Sequence, residues 1–209
     1  MQNKIDAVLN NAGIDDHQTV VKIHYALDVI RNEVIKLVII GIVFSLYGNL
    51  MEYIYSLAIL LPLRTFSGGM HMKTNIGCFM FSLIFLMLPI KVLPRISLNI
   101  VEYFSLLIIS ITTISILSPI ASYKRPIKTA ARKDLLKKRA LFCIAIESII
   151  LFTLWLLAIQ DYFIIGVRIV TIHAIQLFAT WAYRKMRGGI KNVGETQEME
   201  AITHRSPRG

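Results

Sequence analysis

Four stretches of the chain, approximately 76–93, 97–120, 141–160 and 162–183, are apolar almost without interruption. A bilayer hydrocarbon core roughly 30 Å thick takes about 20 helical residues to cross, so each stretch predicts one membrane-spanning segment. Each must be helical, because an isolated strand in lipid leaves its backbone N–H and C=O groups without partners. The breaks between them are short and polar: Lys91 to Arg95 with Pro94, the basic stretch 121–139, and Gln160-Asp161.

Residues 34–63 are also apolar, but Gly48-Asn49 and Glu52 interrupt them. One continuous helix here would be about 45 Å long, and each half only about 21 Å at 1.5 Å per residue. A hairpin turning at Gly48–Glu52, either re-entrant or two short tilted crossings, suits these lengths; a single crossing is the rival reading. Ahead of it, Ile23, Leu27, Ile30, Val34 and Leu37 recur at three- and four-residue steps, the pattern of an amphipathic helix. The predicted fold class is therefore all-α. It is a polytopic membrane bundle of four clear transmembrane helices plus an N-terminal hairpin, about six membrane segments with an amphipathic helix before them. The predicted organisation is a cytoplasmic amphipathic segment over 1–33, a membrane domain over 34–183, and a polar cytoplasmic tail over 184–209.

Composition supports a bilayer protein: 55% of residues are hydrophobic and 17% charged, against about a quarter charged in soluble globules. Residues 1–33 are polar and mixed in charge, so insertion is expected to rely on the internal helices. The net charge of +10 would suggest nucleic acid in a soluble protein. Here the basic residues sit between apolar runs, as in cytoplasmic loops, and nucleic acid is not an expected partner. Eight Lys/Arg fall within 121–139 (Lys124, Arg125, Lys128, Arg132, Lys133, Lys137, Lys138, Arg139), which puts that segment inside the cell. Working outward, 64–75 and the tail from Arg184 lie inside, whereas 91–95 and 160–161 lie outside.

The segment 64–78, Arg-Thr-Phe-Ser-Gly-Gly-Met-His-Met-Lys-Thr-Asn-Ile-Gly-Cys, carries the candidate chemistry. His71 precedes Cys78 by seven residues at the mouth of an apolar run. A sulfur nucleophile needs a nearby base, yet residues seven apart on one helix are separated by about 10.5 Å. The two can meet only if the backbone folds back, which Gly68-Gly69 permits. Thr74 or Asn75 can cap the following helix. Cys78 then falls in its first turn, where free N–H groups and the helix dipole favour the thiolate. Arg64 is a permanent, forked cation suited to a carboxylate or a developing oxyanion. Ser67, Asn75 and Glu52 are candidates for a third member.

Elsewhere the signals are weaker. Cys78 and Cys143 are the two cysteines; Cys143 has no histidine near it in sequence and reads as filler. No Cys/His cluster has metal-ligand spacing, and neither a metal nor an organic cofactor is expected. Glu102, Glu147, Arg168 and His173 interrupt apolar runs, where ionisable groups are costly. Snorkelling or pairing accounts for Glu147 and Arg168, and His173 with Gln176 suits a bond between helices.

The string Arg64-Thr-Phe-Ser-Gly68-Gly69-Met-His71, with Cys78 seven residues on, resembles the active-site motif of the accessory gene regulator B (AgrB) family. Those proteins are membrane cysteine endopeptidases that mature peptide pheromones in quorum sensing. The resemblance implies that Cys78 is nucleophile and His71 general base, acting on a small AgrD-like precursor peptide. A thioester acyl-enzyme then forms, and the precursor's own cysteine or serine closes a thiolactone or lactone. Arg64, Gly68 and Gly69, with Lys124 and Arg125 of the basic stretch, are the candidate substrate-binding or oxyanion residues. It implies a homodimer in the cell membrane with its site at the cytoplasmic face. A non-peptidase peptide transporter or export helper, using Glu102, Glu147, Arg168 and His173 as a polar path, is the rival.

Overall fold

The structure is a computed structural model that describes residues 17–69, 74–96, 98–120, 127 and 129–186. Among the described residues six α-helices follow in order: α1 His17–Leu46, α2 Leu50–Ser67, α3 Asn75–Met87, α4 Ile100–Leu117, α5 Ala130–Leu156 and α6 Gln160–Met186. The chain divides into two compact units, Met1–Leu50 and Met51–Gly209.

In the first unit α1 is unbroken for 30 residues. It ends in a tight turn whose amides reach back: Tyr47 N to Val43 O at 3.3 Å, Gly48 N to Ser45 O at 3.0 Å and Asn49 N to Phe44 O at 2.9 Å. Gly48 takes φ +69°, a left-handed conformation that suits glycine at a helix end. The break expected near Gly48 is therefore present.

Among the described residues of the second unit, four helical segments are long and apolar enough to cross a membrane: Asn75–Arg95, Ile100–Leu117, Ala130–Leu156 and Gln160–Met186. These match the four predicted crossings, and the protein is an all-α, multi-pass membrane protein. The sequence expectation of about six segments is not reproduced by length and composition, since neither α1 nor α2 qualifies as a span. The first of the four does not stay α-helical. Pro89 and Pro94 cannot donate backbone hydrogen bonds, and the chain passes through a π-helical turn at Leu88–Val92 and a 3₁₀ turn at Leu93–Arg95.

The first three turns of α5 are a correction to the sequence reading. The predicted loop 121–139 overlaps the helix, which begins at Ala130 behind Thr129, whose hydroxyl accepts from Arg132 N at 3.3 Å. Arg132, Lys133, Lys137, Lys138 and Arg139 are thus helical. Hydropathy cannot see this start, because lysine and arginine are strong helix formers that happen to be polar.

The central helix is α6: 56% of its membrane window is buried, against 22–28% for the other three. Phe163, Val167, Ile169, Val170 and Leu177 are fully covered. On α4, Phe104 stacks edge-on with Trp155 of α5 and, tilted, with Phe163 of α6. The hydroxyls of Ser110 on α4 and Thr171 on α6 stand 3.1 Å apart. α2 joins through Gly166, whose missing side chain leaves room for Leu151, Tyr55 and Ile59. Small residues allow this close helix approach in membranes. Ile108, Ile109, Ile116 and Ile149 remain exposed, as lipid-facing residues should.

The ionisable residues inside the apolar runs have distinct fates. Glu102 closes a capping box with Asn99 at the start of α4, the Asn99 amide donating to its carboxylate at 2.8 Å. Arg168 donates to the Tyr103 hydroxyl at 2.6 Å, which fulfils the pairing expected of it. Glu147 does not snorkel: it is 6% exposed, and among the described residues neither carboxyl oxygen has a hydrogen-bond partner. A helix-end argument from sequence failed there because α5 starts 11 residues before the predicted crossing, which draws Glu147 towards the middle of the helix.

Candidate functional site

α2 ends at Ser67, and the two residues after it turn out of the helix with Gly68 at φ +83° and Gly69 at φ +152°. Both are conformations that L side chains rarely adopt. Space is a second constraint at Gly68. A Cβ there would lie 2.1 Å from the Ile120 carbonyl oxygen. That contact is a short parallel bridge, in which Ile120 N donates to Ser67 O at 2.9 Å. Gly68 is therefore required by the pairing of the α2 end with the residues just after α4.

The same α2 end is fixed from the side by α6. The Ser67 hydroxyl is 2.7 Å from His173 Nε2 and donates to Leu63 O at 2.6 Å. Both side chains are completely buried. One turn further along α6, Gln176 faces Gly69, its Nε2 3.0 Å from where a Cβ would be. By geometry, neither amide atom of Gln176 has a hydrogen-bond partner among the described residues.

The chain re-enters the described residues at Thr74, which caps α3: its hydroxyl accepts from Gly77 N at 3.1 Å. Of the two candidate caps, Thr74 takes the role, and Asn75 becomes the first helical residue. The first intrahelical bond is Cys78 N to Thr74 O at 3.0 Å. Cys78 thus sits in the first turn, as expected, and is 7% exposed. Three residues on, the Phe81 ring lies 5.9 Å from the guanidinium carbon of Arg64. Residues three apart share a helix face, so the Arg64 cation occupies the face of α3 that carries Cys78. At the other side of α2, Arg139 of α5 stands 5.8 Å over Phe66.

Of the residues singled out from sequence, Arg64, Gly68, Gly69 and Cys78 are brought to this one region. His71, Lys124 and Arg125 lie outside the described residues. Ser67 is committed to Leu63 and His173, which removes it as a third catalytic member. Glu52 is 12 residues before Arg64 on the same helix, about 18 Å along the axis, and does not belong to the site. Sequence reasoning missed Ile120, Phe81 and Arg139 as neighbours of the motif. None has a local signature, and each reaches the site through packing between helices.

The fold and this region define a multi-pass helical membrane protein in which a glycine-pair turn, a half-buried arginine and a first-turn cysteine lie together. The sequence matches the family model described as Accessory gene regulator B over residues 2–179, and the chain belongs to that family. The family is one of the agr quorum-sensing system and is associated with peptide processing. A curated AgrB-like protein of Clostridium beijerinckii is 32% identical over 120 residues, which cover 56% of this chain and 59% of that relative. The chain thus matches less than two thirds of the relative's length. No solved structure matches.

Proposed function

We propose that the protein is a membrane cysteine endopeptidase that cleaves a small precursor peptide and cyclises it to a thiolactone or lactone signal. Cys78 is the nucleophile and His71 its base. The observation that carries this reading is the arrangement of α3: a cysteine in the first turn of a capped helix, with an arginine on the same face. His71 lies two residues after Gly69 and three before Thr74.

The reaction divides one difficult acyl transfer into two. His71 takes the Cys78 proton, and the sulfur adds to the carbonyl carbon of the scissile peptide bond. Arg64 stabilises the oxyanion. The C–N bond breaks as His71 returns the proton to the leaving amine, which leaves a thioester on Cys78. A thiol or hydroxyl of the same peptide then attacks that carbonyl. The new ring ester forms, the Cys78–acyl bond breaks, and the Cys78 thiol is restored. Forming a thioester from an amide is uphill, so water must be kept from the intermediate while the internal nucleophile captures it. A mostly buried Cys78 suits both needs. Arg64 and Arg139 supply positive charge for an acidic leaving fragment, and the sequence offers Lys124 and Arg125 for the same role.

Purified protein in liposomes with a precursor peptide tests the assignment. Cys78→Ala and His71→Ala should each abolish cleavage while inserting normally into the membrane. Unimpaired processing by Cys78→Ala would exclude the nucleophile.

A further inference from the structure

We infer that His173 is a positioning residue for the reaction: its Nε2–H donates to Ser67 and fixes the end of α2, one turn after Arg64. This rests on the peptidase reading for its consequence, though not for its geometry.

The hydrogen positions follow from a count of donors. A serine hydroxyl has one hydrogen and two lone pairs. Ser67 Oγ lies 2.6 Å from the Leu63 carbonyl, which can only accept. The hydroxyl hydrogen must lie on that line, so the 2.7 Å contact to His173 is made by an Nε2–H donating to Oγ. His173 therefore carries its hydrogen on Nε2 and leaves Nδ1 bare. Nδ1 has no hydrogen-bond partner among the described residues. A ring with one nitrogen engaged and the other bare, wholly enclosed, has no route to a substrate and is not itself a base for one.

The position of the bond gives it its role. Ser67 is the last residue of α2, and its carbonyl is held at the same time by Ile120 N. Gly68 is pinned against Ile120 and Gly69 against Gln176. Ser67 is thus held through its side chain by α6 and through its backbone by the residues after α4, four positions before His71. In an apolar bundle a hydrophobic residue would fill the His173 position at lower cost. A buried polar pair that is satisfied on the bond that matters specifies one arrangement rather than many. Catalysis needs such definition, because a shift of about 1 Å in a reacting group can cost on the order of 100-fold in rate.

Selective ¹⁵N-histidine labelling in micelles tests the bond without any activity. Wild type should show His173, assigned by its loss in His173→Gln, as the neutral ring protonated at Nε2, with that signal moved by Ser67→Ala. A ring protonated at Nδ1, or one indifferent to Ser67→Ala, would overturn the inference. The consequence is read in precursor cleavage. His173→Phe and Ser67→Ala should each lower kcat by about 10- to 100-fold with KM little changed, and the double variant should be no slower than the slower single one. His173→Gln, which offers an amide N–H near the Nε2 position, should recover most of the rate. His173→Gln as inactive as His71→Ala, or His173→Phe fully active, would overturn positioning. Cleavage persisting in Cys78→Ala would sink the peptidase reading while leaving the ¹⁵N result intact.

Discussion

At the scale of single residues the glycines separate two causes of constraint. Gly48 and Gly68 both hold positive φ, but a Cβ at Gly48 meets nothing within 4 Å, whereas one at Gly68 collides with backbone. Gly48→Ala should therefore cost about 1–2 kcal/mol, the left-handed penalty alone. Gly68→Ala should cost more, about 2–4 kcal/mol, since a carbonyl cannot swing aside as a side chain can. Unfolding midpoints in detergent measure the difference, and equal losses would contradict the Ile120 contact. Gly68→Ala should also end cleavage, because it displaces the α2 end. The two cysteines divide just as clearly. Cys78 sits in a capped first turn with Arg64 on its face, whereas Cys143 lies 13 residues inside α5, one turn from Glu147. Cys143→Ala should leave cleavage unchanged.

Among the elements, α3 is the one whose start matters. Thr74→Ala removes the hydroxyl that holds Gly77 N and should cost about 1 kcal/mol; Thr74→Ser should cost little. A fall in cleavage that Ser restores would tie the cap to the site, and equal activity of all three would detach it. The start of α3 was legible in sequence because caps are local: Thr74-Asn75 stands just before an apolar run. Cys78 in the first turn followed from that alone. Thr129 signals the start of α5 just as locally, but the basic residues after it have the hydropathy of a loop and so hide the first turns of that helix. The tethers of the α2 end could not be read at all. Ser67 and His173 are 106 residues apart, and Ile120 pairs with Gly68 through a single bridge that has no pattern to detect. A single sequence shows His173 as costly in lipid and suited to an interhelical bond, but does not name Ser67 as its partner.

For the whole molecule, the four crossings of the second unit and the basic charges make a topological claim. α5 and α6 are joined by the short turn Leu157–Ile159, so the first turns of α5 and the last of α6 lie at the same membrane face. Positive residues mark both: Lys137 and Lys138 on one, Arg184 and Lys185 on the other. In a background with both native cysteines replaced, Lys137→Cys and Lys185→Cys should react with an impermeant maleimide from the cytoplasmic side only. Arg95→Cys and Asp161→Cys should react from the other. Labelling of Lys137→Cys and Asp161→Cys from one side would break the topology.

The catalytic reading comes down to one covalent bond. Wild-type protein in liposomes, given a precursor whose ring-closing residue is replaced by alanine, should accumulate an acyl adduct, because capture is blocked. Digestion and mass spectrometry should find the peptide's N-terminal part on Cys78, removable by hydroxylamine as a thioester is. A precursor cut with no adduct on Cys78, or an adduct that survives on another residue in Cys78→Ala, would contradict it.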